Sequence, residues 1–185
     1  MNAWSTTKRR QKMTQHVKQT AAKHAPSLGL LPDNELILLR AALDAEMRKR
    51  GVAFSVGGVG EQLVIEHFRK TSGLPKLQAA PRGTKNVDAL SRSGDRYSIK
   101  TVCNAKKTGT VYPDADDRDK QLFEYVLIVK LAEDWSLESI HQLAWADFVK
   151  VRSWDKRMNA WYVAVSSRAL EAAKPIYQAV KPGGV

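Results

Sequence analysis

The run Tyr125–Leu131, YVLIVKL, constrains this chain more than any other stretch. A half-buried strand alternates apolar and polar residues, and a membrane-spanning helix needs roughly 18 consecutive apolar ones. This run does neither. It reads as a central strand buried on both faces. Ser139–Trp145 is its expected hairpin partner across Ala132–Leu137. Further strands are expected at Asn86–Ser91 and Arg96–Cys103, joined by a turn at Ser93-Gly94-Asp95, and at Trp161–Val165. Apolar residues recur near helical spacing in Asn34–Arg50 (Leu36, Ile37, Leu39, Leu43, Met47). Helices are also expected over Val59–Lys70, Trp145–Val151 and Ser167–Gln178, the last disturbed by Pro175. This order predicts an α/β (α+β) fold: a central mixed, largely antiparallel sheet flanked by helices.

A chain of 185 residues with this pattern predicts one α/β domain over residues 31–185, preceded by a basic arm over residues 1–30. The arm carries Lys8, Arg9, Arg10, Lys12, Lys18 and Lys23 and no acid, six of the net +11 charges. It reads either as a solubilising tail or as a phosphate-binding arm that releases counterions from a polyanion. The whole-chain pI of about 9.8 is a frequent footprint of nucleic-acid binding. Charge without an apolar segment behind it at the N-terminus predicts no secretory signal, and no run is long enough to span a membrane. One cysteine, Cys103, allows no internal disulfide and no cysteine-built zinc site. The expected setting is reducing and cytoplasmic.

The informative stretch is Val87 to Lys100, VDALSRSGDRYSIK. Alternation along the second strand places Ser98 and Lys100 on one face and Tyr97, Ile99 and Thr101 on the other. A hairpin centred on Gly94 sets Asp88 opposite Lys100, within about 5 Å at Cβ. This is either an ion pair that supports the hairpin or half of a small site. On the preceding helix, Glu61 shares a side with Val64, Ile65 and Phe68. It is a carboxylate on the apolar stripe, where charge is costly without a partner. Its position in the first helical turn is the plainer explanation. Glu66 points elsewhere, to solvent.

Asp88 followed after nine residues by Ser98-Ile99-Lys100 resembles the PD-(D/E)xK motif of restriction-endonuclease-like nucleases. In that family an acid-bearing helix precedes the motif hairpin, as Glu61 does here. The resemblance covers about Val59 to Trp145, with Tyr125–Leu131 as the following core strand. Val87 stands in place of Pro, and Ser98 in place of the second acid. The lost ligand would have to come from Glu61 or from a loop aspartate (Asp114, Asp116 or Asp117). The resemblance implies Asp88, Glu61, Ser98 and Lys100 as catalytic residues, with Mg²⁺, or Mn²⁺ in its place, held by Asp88, Glu61 and the Ile99 carbonyl. Mg²⁺ needs only one or two carboxylates beside water and phosphate. It also implies DNA as substrate and a homodimer, with Asn34–Arg50 as one possible dimer face.

Arg82, Lys85, Arg92, Arg96, Lys106 and Lys107 surround the motif and form the expected nucleic-acid track. Arg152, Lys156 and Arg157, interleaved with Trp154 and Trp161, either extend it or belong to core packing around the two indoles. Four scattered histidines make no metal cluster, and Cys103 reads as a small buried strand residue. Gly57-Gly58-Val59-Gly60 lacks the strand and the Lys-Ser/Thr of a phosphate loop and reads as room for Glu61. No nucleotide cofactor is expected. The expected activity is Mg²⁺-dependent DNA endonuclease of restriction type. The alternatives are a repair or junction-resolving nuclease, or a non-catalytic DNA- or RNA-binding protein on a degenerate nuclease fold.

Overall fold

The computed structural model describes residues 28–52 and 55–180, so residues 1–27 of the basic arm lie outside the described residues. The chain divides into two units between Val52 and Ala53. The first holds helix α1 (Asp33–Lys49), with Asp33 and Glu35 in its first turn and Arg48 and Lys49 in its last, where the helix dipole favours each sign. None of its residues is buried, and Leu36, Ile37, Leu38, Leu39 and Leu43 are exposed.

The second unit begins with helix α2 (Val56–Lys70), capped by Ser55, whose Oγ accepts the Gly58 amide at 3.2 Å. Strands β1 (Leu77–Ala79), β2 (Ala89–Ser91), β3 (Arg96–Cys103), β4 (Tyr125–Leu131) and β5 (Leu137–Ala144) follow. Helix α3 (Trp145–Val151), strands β6 (Arg152–Asp155) and β7 (Ala160–Val163), helix α4 (Ser167–Glu171) and strand β8 (Lys174–Gln178) complete the unit. The main sheet has the order β1-β2-β3-β4-β5-β8, and β6 with β7 forms a separate hairpin. Every neighbouring pair in the main sheet is antiparallel except β3 with β4. The fold is therefore α+β, a mixed and largely antiparallel sheet flanked by helices. Among the described residues no helix is long and apolar enough to cross a membrane.

Strand β4 sits at the centre because it is buried on both faces: Val126, Leu127, Ile128 and Val129 all have no exposed surface. Leu127 and Val129 join Val64 and Phe68 of α2, together with Tyr97 and Ile99, in one core. Val126 and Ile128 join Phe123, Leu143, Phe148 and Val163 in a second core. Helix α2 thus covers one face of the sheet, and α3 with the β6–β7 hairpin contributes to the other. A parallel β3–β4 pair needs a long crossover. Here residues 104–124 supply it without a helix and bury Val111 and Phe123 in the second core.

Two expectations are corrected, and one strand had no sequence signal. The segment Ser167–Gln178 is not one helix: α4 stops at Glu171 and the chain turns into β8. β8 is an edge strand, where Pro175 can sit with its missing N–H facing away from the ladder. Arg152–Asp155, with no alternating pattern of its own, is a strand paired to β7. The hairpin is centred on Ser93 rather than Gly94, as the pairs Leu90↔Arg96 and Ala89↔Tyr97 show. Gly94 has φ of 92° and its amide bonds to the Ser91 carbonyl, which makes a three-residue loop, Arg92 to Gly94. The Asp95 carboxylate locks it by accepting the hydroxyls of Ser91 and Ser93 at 2.9 and 2.6 Å.

Candidate active site

The recentred hairpin puts Asp88 opposite Ser98, so Lys100 is its diagonal neighbour rather than its partner. β2 pairs only with the first two residues of β3, and from Ser98 to Cys103 that strand is paired on its β4 side alone. Asp88 stands where the two strands part. Its Oδ2 accepts the Ile99 amide at 2.6 Å and the Ser98 hydroxyl at 3.3 Å, and lies 3.9 Å from Lys100 Nζ. All three contacts fall on one oxygen, and Oδ1 takes part in none of them. A strand residue sends its N–H and C=O to the same edge, so the Ile99 carbonyl also points to this open side. Ser98 is fully buried, while the side chains of Lys100 and Asp88 keep 16% and 25% of their surface in solvent.

Glu61 reaches the same place from the other layer. Helix α2 lies against β3 so closely that a Cβ on Gly60 would come 1.9 Å from Thr101 Oγ1. Only glycine permits this approach. It carries the next residue, Glu61, to the open end of β3. Burial pushes the Glu61 carboxyl above its ordinary value, the Asp88 carboxylate pushes it further, and Lys100 pulls it back. Glu61 therefore feels the charges of both Asp88 and Lys100, two negative groups against one positive.

That donor set fits a hard divalent cation. It offers a carboxylate oxygen outside the hydrogen bonds, a crowded second carboxylate and a backbone carbonyl at an open edge. Among the described residues no group of three or more His, Cys, Asp or Glu side chains is placed to hold a metal. Mg²⁺ here would rest on Asp88, Glu61, the Ile99 carbonyl and water. The loop aspartates make their contacts locally. Asp114 pairs with Lys120 at 2.9 Å and accepts the Asp116 amide, and Asp117 accepts the Asp119 amide. Of the two expected sources of a replacement acid, Glu61 is the one whose carboxyl is raised by the Asp88 charge.

The basic residues separate into two groups. Arg82, Lys85, Arg92 and Lys106 are exposed, with Lys85 Nζ donating to the Pro113 carbonyl at 3.2 Å. Arg96 is engaged in the fold. It holds Glu124 through Nε at 3.1 Å and Nη2 at 2.8 Å, and its amide donates to the same carboxylate at 2.6 Å. Lys107 pairs with Asp155 at 3.0 Å and lies over the Tyr162 ring. Trp154 and Trp161 pack edge to face at 4.6 Å between centroids, covered by Arg118 and Arg152. Gly60 was legible as room for Glu61. Its contact with Thr101 was not, because nothing in the sequence sets the distance between that helix and that strand. No protein-family model matches the chain, and no curated protein aligns with it.

Proposed function

We propose that the chain is a Mg²⁺-dependent DNA endonuclease of restriction type, with Mn²⁺ as a substitute ion, acting in the cytoplasm as a homodimer. The observation that carries this reading is Asp88, 3.9 Å from Lys100 at the parting of β2 and β3 and close enough to raise the Glu61 pKa. A partly buried ion pair with a carboxyl of raised pKa near it is more than hairpin support requires. Bound Mg²⁺ would supply an activated water and neutralise charge on the phosphate. The Ile99 amide and Ser98 hydroxyl fix the Asp88 rotamer, leaving Oδ1 for a ligand. Lys100 orients the attacking water, holds a proton near it and offsets charge growing on the phosphate oxygens. Exposed Arg82, Lys85, Arg92 and Lys106 supply backbone contacts to DNA, which hold the duplex without reading sequence.

A second reading is favoured by Ser98. A buried hydroxyl stands where the related nucleases carry an acid, which leaves a binding protein with one ligand fewer. Cleavage of plasmid and phage DNA with Mg²⁺ or Mn²⁺, measured for wild type beside Lys100→Ala with EDTA as blank, separates the two. The nuclease reading expects metal-dependent cutting that falls at least about a hundredfold in the variant. Binding without cutting on either DNA supports the second reading. Equal cutting by wild type and variant removes Lys100 from the chemistry.

A further inference from the structure

A pocket of about 220 Å³ opens between α3, β6 and the turn from β7 into α4. That is several times the roughly 30 Å³ one water takes in the liquid. Its walls carry Lys150, Arg152 and Arg168 with Ser153 and Ser166, and no carboxylate. Three cations from three elements converge there, and the acids that touch them do so from outside the lining. Asp119, 81% exposed, takes Arg152 Nη2 at 2.5 Å, and Asp147 takes Lys150 Nζ at 2.9 Å.

Arg152 is the unusual member. Its side chain is only 8% exposed, and its guanidinium lies over the Trp161 ring at 4.0 Å. The ring covers the guanidinium plane but accepts nothing from the N–H edge. Nη1 is buried without a hydrogen-bond partner. A buried charged donor left unmade is costly, and in a native fold such a group calls for an acceptor. Ser166 Oγ already accepts the Ala169 amide, so its own hydrogen is free to donate. The pocket therefore offers donors and positive charge, which is the complement of a tetrahedral oxyanion.

We propose that this pocket is a phosphate-binding site, made by Arg152, Arg168 and Lys150 and lined by none of Glu61, Asp88 and Lys100. It takes the phosphate of a nucleic-acid backbone or of a free phosphate ester. The test is an NMR titration of the full chain with inorganic phosphate, following the Trp161 indole N–H beneath Arg152. Wild type is compared with Arg168→Ala, Arg152→Lys and the outlying Lys174→Ala. Arg168 is exposed, so its truncation leaves the fold in place. Phosphate should shift the Trp161 signal in wild type and Lys174→Ala, with Kd raised about tenfold in Arg168→Ala and in Arg152→Lys. A Trp161 signal that phosphate does not move, or one Kd shared by wild type and both pocket variants, overturns the proposal. A labelled oligothymidylate then distinguishes the sources. Parallel loss of its affinity in Arg168→Ala, with a salt slope lower by about one, assigns the site to nucleic-acid backbone. Unchanged oligothymidylate binding beside lost phosphate binding assigns it to a free phosphate ester.

Discussion

Two positions on β3, Arg96 and Lys100, each bring an acid and a base together, four residues apart, and use them differently. At the first, Arg96 and Glu124 are joined by two side-chain hydrogen bonds, and the Arg96 amide adds a third. The Arg96 guanidinium holds the Glu124 carboxyl below its ordinary value. At the second, Lys100 lies 3.9 Å from Asp88, and Glu61 adds another carboxylate whose pKa is raised. The Arg96 pair is neutral and saturated; the Lys100 pair is short of positive charge. The sheet accounts for the contrast. Arg96 pairs with Leu90 of β2 and its carbonyl accepts the Glu124 amide at 3.0 Å on the other side, whereas Ser98 to Cys103 are paired on the β4 side alone. A saturated pair stabilises the strand that carries it. An under-neutralised cluster costs stability and has capacity for a cation.

Removing Asp88 breaks the comparison at its most sensitive point. Asp88→Ala should lower cleavage at least about a thousandfold, a loss of the size seen when one charge-stabilising group is deleted. DNA binding, followed by gel shift, should persist or tighten because a negative charge beside phosphate is gone. Comparable cleavage by variant and wild type would reject Asp88 as a ligand. The Arg96 position should fail in the opposite way. Glu124→Ala leaves the Arg96 amide and guanidinium without their acceptor and should cost about 1–3 kcal/mol in chemical denaturation. Cleavage per folded molecule should not change. A selective loss of cleavage with intact stability would show that Arg96 and Glu124 belong to the site.

Sequence pattern located the frame of this site better than its details. Tyr125–Leu131 is a strand within the bounds its apolar run marks, and Trp145–Val151 is a helix as read. Both are cases where burial decides and the pattern reports burial. Glu61 was legible because its neighbours Val64 and Phe68 have no exposed surface, so the stripe they define is real. The Asp88 register was not legible. The turn Ser93-Gly94-Asp95 and the loop Arg92-Ser93-Gly94 are offset by one residue and share two, yet their registers differ by two positions at Asp88. Arg96 looked like a surface cation because its partner, Glu124, lies 28 residues away. β1 spans three residues, too few for any period to show. β8 was hidden by Ala and Leu residues that favour the short helix before it. The cost of Pro175 depends on whether its strand lies at an edge, which is a property of the sheet and not of the segment.

The smallest effect sharpens the contrast most, because it separates two glutamates by sign. Glu124 has its pKa lowered, so the stability it contributes is present above the unfolded value of 4.5 and is lost as pH falls through the lower folded one. Glu61 has its pKa raised, first by burial and then by Asp88. Stability at Glu61 is therefore complete below the unfolded value of 4.5 and is lost as pH rises through the folded pKa. Above that folded pKa the wild-type carboxylate is charged and crowded by Asp88. Glu61→Gln keeps the shape and removes the charge, so without metal its Tm at neutral pH should exceed that of wild type by a few degrees or less. The difference should shrink toward pH 4.5 as the wild-type group takes up its proton. Mg²⁺ should then raise the wild-type Tm more than that of Glu61→Gln, since the variant has lost one of the two carboxylates available to the ion. A variant that is less stable at every pH, with an equal response to Mg²⁺, would mean that Glu61 is held by Lys100 as a structural ion pair. The Arg96 and Lys100 positions would then differ in geometry but not in purpose.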